Sequence, residues 1–196
     1  NLPDGTTTDL VLTATTSTPP GPNEFSIGAN ASATAANLQA ALTTAVGTVA
    51  GSTLAAASAM AASDDFFDAD VNNPPMRVDG PPFDTATGKI AGTSANSVIW
   101  YTGDAGSDPA RSTANVRIDT SINVSYGMRA NETALRDAVQ NIAVFAAVSY
   151  SSSDPQAEAS YNELKQRVAS GLDDVPGRQK ITDIESELSG AQTAMA

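Results

Sequence analysis

The sequence predicts an α+β protein, with a mixed region of short strands and Ala-rich helices over 1–125 and a helical region over 126–196. Three observations predict it. Short runs rich in Val, Ile and Thr lie between clusters of Pro and Gly in the first two thirds. From Met128 onward, apolar residues recur at steps of three and four, the helical period. Hydrophobic residues make up 41% of the 196 but aromatics only 5%, so any core must be built from small aliphatic side chains.

The elements follow in order. Residues 9–15, DLVLTAT, read as a strand, and 23–27, NEFSI, as a second. The Pro/Gly turn STPPGPN between them predicts a hairpin-like pair. Ser32 is a candidate N-cap for a helix whose stripe is Leu38, Leu42, Val46 and Val49. Gly51 and Ser52 are expected to interrupt it, and a second Ala-rich helix continues through Met60. Residues 64–92 are rich in Pro and Gly and read as irregular, with Phe66, Phe67 and Phe83 as anchors. NSVIWYT, 96–102, reads as a strand, and ANVRIDTSINV, 114–124, as one alternating strand with Val116, Ile118 and Ile122 on one side.

The last third reads as three helices. The first carries a seam of Met128, Leu135, Val139, Ile142, Ala146 and Ser149. The second begins at SSSDPQAE, with Ser153 or Asp154 as cap, Pro155 in the first turn and a stripe of Tyr161, Leu164, Val168 and Leu172. LDDVPGRQK breaks it. The last helix begins near Lys180, and Ile181, Ile184, Leu188, Ala191 and Met195 draw a seam of coiled-coil type. These five residues are the candidate interface. The chain begins at Asn1 rather than Met and stops inside this helix, so the expectation is a piece of a longer protein.

Composition narrows the function. There is no Cys and no His, which removes disulfides, thiolate chemistry, His metal sites and the Ser-His-Asp and Cys-His triads. The net charge is −12, and no Lys or Arg precedes Arg77, which argues against nucleic acid as a partner. No signal peptide, transmembrane stretch or basic amphipathic helix is read, so no membrane partner is expected. Asp68, Asp70, Asn72 and Asp79 match calcium-loop positions, but Asn73 stands where Gly is needed and Pro74 and Pro75 follow, so a solvated acidic loop is expected. TGKIAG around Lys89 lacks the upstream Gly of a phosphate loop, since Phe83 holds that position. The residues around LKQRVASGLDD read as a solvated helix face rather than a Ser-Lys pair. The triplets at Asn30, Asn123 and Asn131 matter only in a secretory-pathway host. No catalysis, metal or cofactor is expected.

A resemblance sharpens this. ANLQAALTTAVGTVAGSTLAAASAMAASDDFF is similar to the outer-domain insertions of bacterial flagellins. WYTGDAGSDPARSTANVRIDTSINVSYGMRANETALRDAVQNIAVFAAVSY resembles a region of alphaproteobacterial filament proteins. YNELKQRVASGLDDVPGRQKITDIESELSGAQTAMA resembles the start of the carboxy-terminal helical part. The likeness runs roughly from Asp9 to the end, and the hook–filament junction protein shares the character of the terminal helices. It implies a structural subunit of an extracellular flagellar filament, acting in motility, with an outer domain at 1–125 and a core-proximal helical part at 126–196. It further implies other flagellin subunits, an export chaperone and a cap protein as partners. The seam from Ile181 to Met195 would then pack on other helices of the subunit and on neighbours, and without them its last turns from Ala191 are expected to fray. An extracellular adhesin or calcium-binding module is the alternative.

Overall fold

The computed structural model describes every residue except Asp84, Asp174 and Val175. The expected break LDDVPGRQK contains two of these, which lie outside the described residues. Helices and short strands coexist, as expected for an α+β chain. Two compact units form: residues 1–61 with 147–167, and residues 62–146 with 168–196. Both expected domains contribute to both units. The change in composition after Tyr126 marks a change from strand to helix, and the unit boundaries fall elsewhere.

In the first unit, β1 (Thr13–Thr15) and β2 (Glu24–Ser26) pair in parallel, Thr13 opposite Glu24, rather than as a hairpin. The stiff Pro19–Pro22 stretch carries the chain back to the start of β1. Asn23, at φ 56°, takes the left-handed turn that admits the second strand. Thr13 N–H then donates to Asn23 O at 3.0 Å and Ile27 N–H to Thr15 O at 2.8 Å.

Helix α1 (Ala31–Val49) is capped by Asn30, not Ser32: the Asn30 Oδ1 accepts the Ala33 N–H at 2.9 Å. Gly28 permits the tight entry, since a Cβ there would lie 2.6 Å from the Ala33 Cβ. Gly51 and Ser52 do not end the helix. A π turn (Ala50–Leu54) carries it into α2 (Ala55–Phe67). The hydroxyls of Thr44, Thr48 and Ser52 each donate to the carbonyl four residues back, which competes with the backbone ladder and loosens this stretch without breaking it. The continuous helix Ala31–Phe67, mean hydropathy 1.4 over its best window, is by length and composition apolar enough to cross a membrane, a feature hidden when Gly51 is read as a break.

The stripe Leu38, Leu42 and Val46 points outward, against the expectation that it packs. Helix α1 lays its small side against β2 instead: Asn37 Nδ2 donates to Ser26 O at 2.8 Å, and Ala45 is buried. That hydrogen bond fixes the rotation of the helix. In α4 (Ala157–Leu172), Leu164 is fully buried, while Tyr161 is exposed and stacks edge-on to Tyr150 at 5.7 Å. Of the two candidate caps, Asp154 closes the turn, its Oδ1 accepting the Gln156 N–H at 2.9 Å.

Helix α2 runs past its expected end at Met60 and continues to Phe67, with no Gly or Pro to stop it before that point. Phe67 is buried against Trp100, with ring centres 5.0 Å apart and Trp100 Nε1 donating to Phe67 O at 2.8 Å, whereas Phe83 is exposed and lies over Gly80. NSVIWYT is therefore an irregular segment pinned by its Trp, not a strand. The strands of the second unit are β3 (Arg77–Val78) with β4 (Lys89–Ile90), and β5 (Asn115–Arg117) with β6 (Asn123–Ser125), both antiparallel. The expected single strand 114–124 folds at Asp119, whose carboxylate accepts the Thr120 N–H at 2.6 Å, so Ile118 and Ile122 sit exposed at the turn. Helices α3 (Thr133–Ala147) and α5 (Ile181–Met195) complete the unit.

Candidate functional site

The sequence-predicted seam lies on α5. The helix starts where expected: the Asp183 carboxylate accepts the Lys180 N–H at 2.8 Å, and its charge suits the positive end of the helix dipole. The five seam residues do not share one environment. Ile184 is 3% exposed and Ala191 is buried, Leu188 is half-buried, and Ile181 (45%) and Met195 are exposed. The middle of the seam rests on this chain's own β6, where Val124 is also buried. The seam is thus filled in part by the chain itself, at Ile184 and Ala191, and the helix extends to Met195.

Residues remote in sequence hold α5 there. Arg111, in a 3-10 turn before β5, donates through Nε to the Glu187 carboxylate at 2.7 Å and through its other nitrogens to the Glu132 carboxylate and the Gly127 carbonyl. Glu132 is buried, and also accepts from Gln179 Nε2 at 3.1 Å and the Arg129 N–H at 3.0 Å. A buried carboxylate requires this number of donors. Arg129, almost fully buried, closes the adjoining loop on the carbonyls of Gly106 and Asp108 and on Asp104 at 2.6 Å. The Gly106 N–H, first, and then Arg129 hold the Asp104 carboxyl below its ordinary value. No sequence pattern near α5 points to Arg111, which is 76 residues from Glu187.

Helix α3 inverts the expected arrangement. The seam residues Val139, Ile142 (64%) and Ala146 are exposed, Leu135 is half-buried, and Met128 and Ser149 lie outside the helix. The buried side carries Ala134, Val144 and two amides, Gln140 and Asn141. Specific polar contacts hold it that way: Gln140 Nε2 donates to the Asp64 carboxylate, Asn141 Nδ2 donates to Asp137 O at 2.8 Å, Arg136 pairs with Asp68 at 2.7 Å, and Asp137 pairs with Arg178. Gly171 approaches the Asn141 side chain so closely that a Cβ would overlap it.

A cavity of about 160 Å³ lies between α3 and the start of α5, lined among others by Ala134, Asp137, Gly171, Arg178 and Ile181. Its acidic wall is neutralised by the Asp137–Arg178 pair. The acidic loop is likewise engaged. Asp65 accepts the Met76 N–H at 2.8 Å, Asp70 accepts the N–H groups of Asn72 and Asn73 at 2.7 and 2.8 Å, and Asp68 faces Arg136. Among the described residues, no group of three metal-ligating side chains converges. What this surface offers chemically is apolar area at Val139, Ile142, Ile181 and Met195, on the outside of α3 and α5. Comparison with family models, curated proteins and solved structures finds no match for the chain.

Proposed function

We propose that the chain is a structural subunit of an extracellular filament of the flagellin kind, in which helix faces are covered by other helices of the assembly. The single observation that carries this reading is the inverted α3, with Val139 and Ile142 outside and Gln140 and Asn141 inside. A monomer gains nothing from exposing these residues, whereas a subunit gains an interface. The exposed ends of the α5 seam, Ile181 and Met195, support it, as do the stretches similar to flagellins and the lack of Cys and His. In this reading the partners are further subunits, an export chaperone and a cap protein, the site is the cell exterior, and no reaction is catalysed.

Immuno-electron microscopy on the source cells tests it, using antibody raised to residues 96–125. Decoration along extracellular filaments is expected. Label confined to the cell interior, or cells that swim and keep filaments after deletion of the gene, would sink the proposal.

A further inference from the structure

The chain contains two Asp-Gly pairs, Asp4-Gly5 and Asp79-Gly80, and no Asn-Gly. An aspartyl side chain followed by glycine can condense with its own main chain, because glycine has no Cβ to hinder the approach of its nitrogen to the carboxyl carbon. The two pairs differ in whether the reacting groups are free.

At Asp4 both groups are held. Its Oδ1 accepts the Thr6 N–H at 3.1 Å and the Thr6 hydroxyl at 2.7 Å, and its Oδ2 accepts from Arg167 Nε at 2.9 Å. The Gly5 N–H donates to Leu2 O at 3.1 Å. At Asp79 neither group is held. The residue is exposed, and among the described residues neither its carboxylate nor the Gly80 N–H has a hydrogen-bond partner. The Phe83 ring occupies the space where a Cβ of residue 80 would stand, 2.6 Å from that point, so the position is suited to glycine. We propose that Asp79 is a site of spontaneous isoaspartate formation, and that Asp4 is protected from the same reaction by its bonds. This does not rest on the filament reading.

The reaction needs no other reagent than water. The Gly80 nitrogen attacks the Asp79 carboxyl carbon in its acid form. A C–N bond forms, the C–OH bond breaks, and the hydroxyl leaves as water with the amide proton. Water then opens the five-membered imide at one of its two carbonyls. Opening on the side-chain carbonyl restores aspartate. Opening on the main-chain carbonyl leaves the chain running through the former side chain, one methylene longer, with the α-carboxylate free. The Asp79 N–H, which donates to Gly88 O at 3.1 Å, and all of β3 lie before the altered link. Pairing of β3 with β4 therefore survives the change, and the site ages without unfolding the hairpin.

Trypsin separates the two sites. Arg77 and Lys89 are the first two basic residues, so peptide 1–77 holds Asp4 and peptide 78–89 holds Asp79. Folded protein and protein in urea are incubated side by side in warm, mildly acidic buffer, and isoaspartate is located in each peptide by fragmentation mass spectrometry. At Asp79 the folded and unfolded rates are expected to be close. At Asp4 the folded protein is expected to react at least about tenfold more slowly than in urea, because the ring closes only after those bonds open. Asp79→Glu, which would need a less readily formed six-membered ring, is expected to remove the modification from peptide 78–89. Equal protection of the two sites in the folded protein, faster reaction at Asp4, or a folded Asp79 that stays unmodified while urea releases it would each overturn the proposal.

Discussion

Helices α3 and α4 carry seams of nearly the same spacing and use them in opposite ways. In α4, Leu164 is fully buried and Val168 is buried, with Tyr161 and Leu172 left at the margins. In α3, Val139 and Ile142 face out while Gln140 and Asn141 lie within. The difference lies in the partners available to the polar positions. Gln140 meets Asp64, Asn141 meets the Asp137 carbonyl, and Arg136 and Asp137 meet Asp68 and Arg178. Helix α4 buries one hydroxyl, Ser160, beside Leu164 and Val168. Its ion pairs, Arg167 with Glu163 at 2.6 Å and with Asp4 at 2.9 Å, bind the amino-terminal segment down. Apolar periodicity marks one face of a helix; the partners open to its polar positions decide which face the chain itself buries.

Substitutions that separate the two helices sharpen this contrast. Leu164→Ala is expected to cost about 2–5 kcal/mol in urea unfolding, as for a fully buried leucine. A loss below about 1 kcal/mol would mean that α4 is not the packed helix. Arg111→Met leaves Glu132 buried without its main counter-charge and is expected to cost about 3 kcal/mol, with α5 amides losing protection from hydrogen exchange. Unchanged protection would remove Arg111 as the residue that holds α5.

Gly171→Ala should cost about 1–3 kcal/mol, since the new methyl group meets Asn141 and displaces its bond to Asp137 O. Combining it with Asn141→Ala should restore part of that loss, and strict additivity would show that the two sites do not touch.

Asp4 gives a smaller effect that depends on pH. Burial pushes its carboxyl up, but the Thr6 hydroxyl and the Arg167 guanidinium outweigh this and hold it below its ordinary value of 3.8. A depressed carboxyl stabilises the fold fully above that ordinary value, and the contribution is lost as pH falls below it through the lower folded value. Asp4→Asn is therefore expected to cost about 1–2 kcal/mol at neutral pH and progressively less as pH drops below 3.8. A cost that stays constant on acidification would contradict the pairing with Arg167.

Much of the helical layout was legible from the residues, because start signals act locally. The start of α5 near Lys180 and the cap of α4 at Asp154 were both readable. Strands were less legible. The residues between Thr15 and Glu24 read as a hairpin turn, yet their prolines and the left-handed Asn23 return the chain for a parallel pair. The run 114–124 alternates like one strand, and only the side-chain bond of Asp119 to the backbone reveals its fold-back. Of the candidate site, the positions on α5 were visible and their division was not. Ile184 is buried and Ile181 is not, on a helix that rests on a hairpin more than 50 residues away and is held by Arg111. The exposure of Ile142 was equally hidden, since it follows from what Gln140 and Asn141 find on the other side.

If the outer face of α3 serves assembly, as proposed, the substitutions Val139→Ser with Ile142→Ser should spare the subunit and spoil its assembly. The doubly substituted protein is unfolded in urea, and source cells carrying the same two changes are imaged by electron microscopy. The expected result is an unfolding free energy within about 0.5 kcal/mol of the parent for each exposed substitution, together with filaments that are absent or much shortened. Normal filaments from the doubly substituted protein, or a loss of several kcal/mol in the chain alone, would contradict it.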